Sequence, residues 1–377
     1  MKLPIRLLAE GARRHEPLTT GSASPGFSGL LPPRLTTMAR QYRIFHARLR
    51  AAAFAARLAT ACHPYSEYVA IQHLPASRIG SRWGHGRPPH PGLDALIASG
   101  APAYRRAVDA IRARHSDLTS ISRDGTGPGE PRWANAWIPP LDGACLYTFV
   151  RDLQPANYVE VGSGNSTLFV DRARRDGHLA TTITSIDPEP RSDVDDACDR
   201  VIRAPLESID LEIFHHLRSG DMVFVDNSHL ALMGSDATVF LLEVLPLLRP
   251  GVLVGIHDIF LPCDYFPSWR EYYFGEQYIL AALLIGQWAG YGGAGYGGAS
   301  ISVGNPDDSP SRNVAAGTAR WIEPFMATYY VSCHPELSAP LDDLWTEPCF
   351  SGLDPAGWSF WFRIGETPRG GSGPLPG

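Results

Sequence analysis

The residues best suited to chemistry lie in two short polar runs, each directly after an apolar stretch. The run "DMVFVDNSH" places Asp226 and His229 after one stretch, and "GVLVGIHDIF" places His257 and Asp258 after another. Ligands of parallel sheets bind beyond the carboxyl ends of the strands, and neighbouring strands lie about 4.8 Å apart. We therefore expect these four groups, the polar rim, to converge on one substrate or one cation, because unpaired they would be costly.

Three interpretations of the polar rim are open. In the first, Asp226 and Asp258 are metal ligands that hold a divalent cation such as Mg²⁺, which prefers carboxylate oxygens, with His257 nearby. In the second there is no metal, and His229 or His257 takes a proton from the substrate; we favour His229, oriented by Asp226. In the third, the four groups form a structural hydrogen-bond network that joins strand tips to loops.

A glycine turn in "YVEVGSGNSTLFV" (158–170) is the strongest binding signal. A strand ends at Val161, and Gly162, Ser163 and Gly164 turn the chain into a helix that starts near Ser166. Glycine is needed where a ligand approaches the backbone closely, because a Cβ atom would block it. A dinucleotide fingerprint would have a third glycine where this chain has Thr167, which argues against a nicotinamide or flavin cofactor.

Two carboxylates near this turn favour a cationic adenosyl ligand. Glu160 precedes Gly162 by two residues, where it would repel a pyrophosphate but stabilise the ammonium and sulfonium groups of S-adenosylmethionine; the alternative is a strand-end residue that caps a nearby turn or arginine. Asp187 ends "TITSID" and is expected to bind the ribose hydroxyls, although it is also compatible with a solvated acidic run. The predicted cofactor-binding residues are Glu160, Gly162, Ser163, Gly164, Asn165, Ser166, Asp187, Glu207 and Asp226.

The pattern of elements predicts a Rossmann-like, doubly wound α/β domain. After Trp133, β-rich runs alternate with helical stretches such as 235–248, which is typical of a mostly parallel sheet with helices on both faces. A helix is predicted over 93–115 and a linker over 122–132. The predicted strands are 158–161, 182–186, 200–203, 221–225, 251–256, 325–333 and 357–364. The predicted divisions are a basic, partly disordered leader (1–60), a helical extension with its linker (61–128), the α/β domain (129–365) and a disordered tail (366–377).

Residues 133–365 resemble the class I S-adenosylmethionine-dependent methyltransferases, in the small-molecule subgroup. The motifs that carry this resemblance are "VEVGSGNST", "SIDPEPR", "FVDNSH" and "RPGVLVGIHDIFLP", in the family's order and spacing. The resemblance implies Glu160, Gly162 and Gly164 around the methionine moiety, Asp187 on the ribose, and a seven-stranded sheet whose last strand is antiparallel. Related sugar and phenol O-methyltransferases require a metal held by acidic residues at these strand tips, and this chain has His257 where a second acidic residue often lies.

Composition bounds the expected function. With 44% hydrophobic residues, 19% charged residues and a net charge of −6, the chain is ordinary for a globular protein and shows no electrostatic reason for a nucleic-acid partner. No run reaches the ~18 apolar residues of a membrane span, and six scattered cysteines favour a reducing, cytoplasmic setting. We expect an enzyme, acting alone or as a homo-oligomer, that methylates a hydroxyl or similar nucleophile of a small molecule. The alternatives are an NAD(P)-dependent oxidoreductase and a non-catalytic adenosyl-binding or scaffold protein.

Overall fold

The computed structural model describes residues 80–190, 193–290 and 321–365. Three of the predicted divisions extend outside the described residues: the leader (1–60), the extension as far as residue 79, and the tail (366–377). Residues 291–320, which include a glycine-rich stretch, also lie outside them. The described residues from Ser81 onward belong to one compact unit. Within the described ranges no helix is both long and apolar enough to cross a membrane.

Seven strands form one sheet in the described part of the chain. They are β1 (Asn157–Val161), β2 (Thr182–Ile186), β3 (Arg200–Ile202), β4 (Met222–Val225), β5 (Leu253–Ile256), β6 (Trp321–Ala327) and β7 (Phe360–Gly365). Their order across the sheet is β3-β2-β1-β4-β5-β7-β6. Strands β1 to β5 pair in parallel, whereas β7 is antiparallel to both of its neighbours. The predicted α/β fold, with a mostly parallel sheet and an antiparallel last strand, is confirmed.

The central strands read as unbroken apolar runs because both faces of the sheet are covered. Every residue of β4 and of β5 is buried, although successive side chains point to opposite faces. Polar residues are therefore displaced to the strand ends. The glycine turn, Asp187 and the polar rim all follow the carboxyl ends of strands in this sheet.

Helices precede, link and follow the strands. They are α1 (Pro91–Ala98), α2 (Ala101–Ala113), α3 (His115–Thr119), α4 (Pro140–Leu153), α5 (Asn165–Gly177), α6 (Glu212–His215), α7 (Asp236–Val239), α8 (Glu276–Gly290), α9 (Thr328–Ser332), α10 (Pro335–Ser338) and α11 (Asp342–Trp345). Helix α7 continues into a π-helical turn, Phe240–Val244, and a 3₁₀ turn, Leu245–Leu247. Other 3₁₀ turns are Asp195–Ala197, Leu206–Ser208, Pro267–Tyr272, Ala339–Leu341 and Pro348–Phe350.

Two predicted elements differ from the structure. The predicted strand over 325–333 is β6 only as far as Ala327, after which the chain forms α9. Thr328, at the junction, is buried and donates its hydroxyl to Asp142 Oδ1 at 2.6 Å, a side-chain anchor that strand propensity does not reveal. The single helix predicted over 93–115 is divided into α1 and α2 at Gly100, where a Cβ atom would lie 2.4 Å from the Tyr104 hydroxyl.

The helices before the predicted linker share one hydrophobic cluster with the sheet. Leu96 and Tyr104 belong to the same buried cluster as Val159 of β1 and Phe224 of β4. The predicted linker itself lies within 120–139, a stretch without a helix or strand. The predicted division of the chain into leader, extension and α/β domain stays a prediction.

Candidate active site at the strand tips

A crevice lies beyond the carboxyl ends of β1, β2 and β4. Its lining includes Gly162, Ser163, Asp187, Glu207 and Asp226, five of the residues predicted to bind a cofactor. This is the position where open parallel sheets bind ligands. We call it the cofactor crevice. Asp226 also belongs to the polar rim, so the crevice and the rim are continuous.

The two glycines of the turn are required for different reasons. Gly162 has a φ of +81°, and a Cβ atom there would lie 1.8 Å from the backbone oxygen of Asp226. Only glycine allows β1 and the β4 loop to approach this closely. Gly164 has an extended φ of 175°, and a Cβ atom there would meet no atom within 4 Å. Gly164 is not among the residues that line the crevice, but the protein's own packing does not demand a glycine there, and the space beside it is open.

Asp187 holds the turn and the loop after β2 together. Its Oδ2 accepts from the backbone N–H of Ser163 at 2.7 Å, and its Oδ1 accepts from the N–H of Glu189 at 2.7 Å. The side chain of Ser163 bonds instead to the hydroxyl of Ser185, within the protein. Asp187 thus lines the crevice in a fixed orientation, with each carboxylate oxygen already accepting one bond.

Glu160 does not line the cofactor crevice. Its side chain is fully buried and accepts hydrogen bonds from the hydroxyls of Ser166 and Thr167, at the start of α5. Burial raises the pKa of Glu160 to about 8, although the bonds from these hydroxyls lower it. The expectation that Glu160 lies beside a methionine moiety is therefore not supported by this geometry, which matches the alternative of a strand-end residue that caps the following turn.

Two further predicted cofactor residues are also turned into the protein. Asn165 and Ser166 begin α5 and are buried, and neither lines the cofactor crevice. Glu207 does line the crevice, from the 3₁₀ turn after β3. The prediction of an adenine contact there remains a prediction.

The polar rim is assembled as the sequence predicts. His229 Nε2 lies 3.4 Å from Asp226 Oδ1 and 3.3 Å from Asp258 Oδ2. His257 Nδ1 lies 3.5 Å from Asp226 Oδ1 and 3.4 Å from Asp258 Oδ1. The two histidines and two carboxylates thus alternate around one small volume, and all four side chains are at most 15% exposed.

Two buried carboxylates behind the rim were not predicted. Glu276, the first residue of α8, lies with its Oε2 at 2.9 Å from His229 Nδ1. Asp142 in α4 lies with its Oδ2 at 3.4 Å from His257 Nε2 and also accepts from the backbone N–H of Trp358 at 2.7 Å. Their sequence signal is weak: each is a lone acidic residue in the first turn of a largely apolar helix, far along the chain from the rim.

The acidic surroundings govern the protonation of both histidines. Burial lowers the pKa of His229, but hydrogen bonds to Asp226 and Glu276 and the charge of Asp258 outweigh it and raise the pKa to about 10. Burial likewise opposes the charges of Asp258 and Asp226 at His257, and these charges raise its pKa well above the ordinary value. Burial raises the pKa of Asp258, whereas the charge of His257 overcomes burial at Asp226 and lowers its pKa. Without a bound cation, these charges and hydrogen bonds favour the protonated form of both histidines, whereas a cation at the rim would displace a proton from its histidine ligand.

The rim satisfies its polar atoms incompletely. Asp258 Oδ1 and both ring nitrogens of His257 are buried without a hydrogen-bond partner among the described residues. Asp226, His229 and Asp258 each offer one ligand atom, and these atoms all lie within 4.8 Å of one another. Two carboxylate oxygens and one imidazole nitrogen at this spacing fit a divalent cation.

Aromatic rings connect the two histidines around the outside of the rim. Phe274 lies with its ring centre 4.8 Å from that of His229, and Trp358 lies 6.2 Å from that of His257. Trp269 lies between them, 5.9 Å from Phe274 and 5.4 Å from Trp358. The three outer rings are half-buried, so they form a wall with one accessible side.

Comparison with known proteins identifies the central part of this architecture. Residues 159–259 match a family model described as a methyltransferase domain, which spans the glycine turn, Asp187 and the whole polar rim. Among curated proteins, no relative matches the chain.

Solved structures with detectable similarity include three methyltransferases or cofactor-bound proteins. A methyltransferase of Podospora anserina bound to S-adenosylhomocysteine is 18% identical, with 46% of this chain and 76% of that chain covered and a TM-score of 0.29. The MycE methyltransferase of mycinamycin biosynthesis, in complex with Mg, S-adenosylhomocysteine and mycinamycin VI, is 18% identical, with 60% and 49% covered and a TM-score of 0.32. Cofactor-bound Rv0187 from MTB is 17% identical, with 42% and 65% covered and a TM-score of 0.24.

Similarities with TM-scores this low support no inference about a substrate or a metal. This chain also spans only about half the length of the MycE chain, 49%. The match of residues 159–259 is the finding that identifies the domain, and it covers the strand tips described above. Residues 159–259 are therefore a methyltransferase domain, in agreement with the resemblance to the class I S-adenosylmethionine-dependent methyltransferases that the motifs carry.

Proposed function

We propose that the protein transfers the methyl group of S-adenosylmethionine to a hydroxyl, or a similar nucleophile, of a small-molecule acceptor. The observation that carries this proposal is the continuity of the cofactor crevice with the polar rim through Asp226. Methyl transfer is an in-line displacement at carbon, so it needs a sulfonium donor and a deprotonated acceptor side by side. One end of the site suits the donor and the other suits removal of the acceptor proton.

The cofactor end would be formed by the backbone of the glycine turn and by Asp187 and Glu207. S-adenosylmethionine supplies the methyl group as an electrophilic substituent of its sulfonium. Gly164 leaves open space beside the turn, and Asp187 presents a carboxylate fixed by two backbone N–H groups. Fixed acceptors of this kind suit the ribose hydroxyls. Glu160, Asn165 and Ser166 would act indirectly, by holding the start of α5 in place.

The acceptor end would be the polar rim, with Asp226, His229 and His257 as the catalytic candidates. His229 Nε2 faces the two rim carboxylates and, once the ring has lost one of its two protons, would be the ring atom positioned to take a proton from an acceptor hydroxyl. A base positioned within hydrogen-bond reach contributes ~10²–10⁴-fold to the rate. The half-buried wall of Trp269, Phe274 and Trp358 would exclude water and hold the acceptor's apolar part.

Asp226 and Asp258, joined by His229, would hold a divalent cation such as Mg²⁺. The unpartnered Asp258 Oδ1 and the spacing of the three ligand atoms support this assignment. A cation bound there would lower the pKa of a coordinated hydroxyl and fix its orientation. In that case His229 would serve as a ligand, and His257 would remain the neighbouring base.

Binding of S-adenosylhomocysteine tests the proposal at its cofactor end. In thermal-shift and calorimetric titrations, S-adenosylhomocysteine should raise the melting temperature and bind. NAD should do neither. Binding of NAD instead would replace the proposal with the oxidoreductase alternative. Turnover of methyl-labelled S-adenosylmethionine with a library of phenols and sugars, which Asp226→Ala should abolish, separates an enzyme from a non-catalytic adenosyl-binding protein. Loss of that turnover on chelation, with recovery on adding Mg²⁺, would assign the metal.

The remaining expectations stay predictions. They are the hydroxyl as the accepting group, a cytoplasmic location, the absence of a nucleic-acid partner, and action either alone or as a homo-oligomer. Size-exclusion chromatography with light scattering measures the last of these directly.

A further inference from the structure

Glu276 is a fully buried carboxylate that faces the polar rim from the start of α8. Its Oε2 lies 2.9 Å from Nδ1 of His229, and its Oε1 accepts from Nδ2 of Asn227 at 3.2 Å. A carboxylate removed from water is costly unless hydrogen bonds or opposite charge compensate it. Both compensating groups come from the loop after β4, so Glu276 and that loop hold each other in place.

The start of α8 also holds the backbone of His229. The carbonyl oxygen of His229 accepts from the N–H groups of Gly275 at 2.9 Å and Glu276 at 3.3 Å, and its own N–H donates to Asn227 Oδ1 at 2.8 Å. His229 has a φ of +57°, a left-handed conformation that is unfavourable for a residue with a Cβ atom. Such conformations persist where the surrounding structure over-determines them, typically at functional sites.

We propose that Glu276 is a positioning residue that fixes the imidazole of His229, with the proton on Nδ1 bonded to Glu276 and with Nε2 facing Asp226 and Asp258. Burial raises the pKa of Glu276, whereas its hydrogen bond to His229 and the charge of that ring lower it. With Glu276 ionised beside His229, both of its oxygens accept hydrogen bonds, and Nδ1 is the donor. Nε2 is then the ring atom that meets the acceptor proton or a cation. This inference rests on the proposed function for its catalytic meaning, because only a rim that receives an acceptor needs an oriented ring.

The orientation matters for either chemistry of the rim. A base needs its lone pair on the nitrogen that faces the substrate, and a metal-binding histidine uses its other nitrogen to donate to a carboxylate or carbonyl. Without Glu276, the Nδ1 proton loses its acceptor, and the ring is free to carry its proton on Nε2 instead. Glu276→Gln is the sharpest change, because it keeps the shape but offers an amide that can donate to Nδ1 as well as accept from it.

The experiment is nitrogen-15 NMR of the full chain with labelled histidine, in the presence of S-adenosylhomocysteine. His229 resonances are assigned by their absence from His229→Asn. In the unsubstituted protein we expect an exchange-protected, low-field Nδ1–H proton on His229. In Glu276→Gln we expect that signal to move upfield and to lose its protection from exchange, because a neutral amide is a weaker acceptor than a carboxylate. Gln277→Met is the matched control: Gln277 is the next residue, is equally buried, and anchors the backbone N–H of Phe260 rather than His229. It should keep the signal.

Each outcome bears on the inference. A protected proton on Nε2 instead of Nδ1 in the unsubstituted protein overturns it, and this outcome does not require Glu276→Gln to fold. An Nδ1–H signal with the same chemical shift and the same protection in Glu276→Gln overturns it too, as does loss of the signal in a folded Gln277→Met. Calorimetry with S-adenosylhomocysteine on the same samples reports the proposed function separately. A protein that shows the Nδ1–H signal but binds no S-adenosylhomocysteine would refute that function while leaving the hydrogen bond established.

Discussion

At the tips of β1 and β2, the polar groups are already hydrogen-bonded to the protein, whereas at the tips of β4 and β5 several polar atoms have ion-pair contacts but no hydrogen bond among the described residues. Asp187 accepts from two backbone N–H groups, and Glu160 accepts from two hydroxyls. Asp258 Oδ1 and the ring nitrogens of His257 are buried without a hydrogen-bond partner among the described residues. The polar groups of the cofactor half, at β1 and β2, thus have their hydrogen bonds within the protein, whereas several polar atoms of the rim half, at β4 and β5, lack them.

The difference follows from what each half would do. A cofactor that is bound and released in one shape is best received by a rigid surface whose groups are fixed beforehand. A reacting centre instead needs groups whose charge and protonation can change, and such groups are kept close together at a cost in stability. The polar rim is therefore the half that is expected to lower the free energy of unfolding in return for reactive groups.

A single added Cβ atom at Gly162 is expected to disrupt the cofactor half of the site. Gly162→Ala would place a Cβ atom 1.8 Å from the backbone oxygen of Asp226, at a φ of +81° that favours glycine. Because backbone must move to relieve this contact, we expect loss of S-adenosylhomocysteine binding by more than ~100-fold, about 3 kcal/mol, together with a lower melting temperature. Gly164→Ala is the control: its Cβ meets no protein atom, so the melting temperature should hold while affinity falls. Equal stability losses in the two variants would contradict this distinction.

The chemical role of the rim can be separated from its fold by His229→Asn. Asparagine tolerates the left-handed backbone that His229 adopts, so the loop should keep its shape. We expect turnover to fall by ~10²-fold or more, as for loss of a general base, with the affinity for S-adenosylhomocysteine little changed. His178→Asn is the matched control, since His178 is an exposed histidine with a φ of 50° at the end of α5. A comparable loss of turnover in His178→Asn would show that the effect is not specific to the rim.

Glu160, the buried carboxylate of the cofactor half, makes a pH-dependent contribution to the free energy of unfolding. The folded-state pKa of Glu160 is about 8 against 4.5 for the free group, chiefly because of burial. Since the folded protein then keeps a proton that the unfolded chain releases, Glu160 lowers the free energy of unfolding as pH rises from about 4.5 to about 8 and no further above it. Glu160→Gln should remove this dependence. Between pH 6 and pH 8 we expect the gap between the two proteins to change by ~1–3 kcal/mol, in denaturant titrations. A constant gap would mean that Glu160 is ionised throughout.

The strands and the polar rim of this molecule are predictable from local sequence, whereas its long-range hydrogen bonds are not. The strands were predictable because a sheet covered on both faces demands unbroken apolar runs: β2 spans the predicted 182–186. The joining of Asp226 and Asp258 was predictable because both follow strands that proved to be neighbours. The family match agrees with the motifs that first suggested a methyltransferase.

What could not be predicted depends on contacts between distant parts of the chain. Glu276 lies 47 residues after His229, in a segment whose apolar spacing predicts simple packing. The direction in which the Glu160 side chain points is decided by two hydroxyls of α5, which strand periodicity does not specify. Thr328 ends β6 because Asp142, 186 residues away, accepts its hydroxyl. Each is a tertiary hydrogen bond, and no local pattern encodes it.

The smallest expected change in stability tests directly whether the rim lowers the free energy of unfolding. Burial, together with neighbouring carboxylates, raises the pKa of Asp258 by more than the charges of His257 and His229 lower it, and its Oδ1 has no hydrogen-bond partner among the described residues, so its negative charge near neutral pH opposes folding. Asp258→Asn should therefore raise the free energy of unfolding by ~1 kcal/mol while abolishing turnover. Asp221→Asn is the matched control at the other end of β4, where a buried carboxylate accepts from the backbone N–H groups of Asn157 and Arg218 at 2.8 Å each. It should lower the free energy of unfolding instead, because an amide cannot accept all of these bonds. If both variants lose stability in chemical denaturation, the rim carries no such cost, and the contrast between the two halves of the site must have another origin.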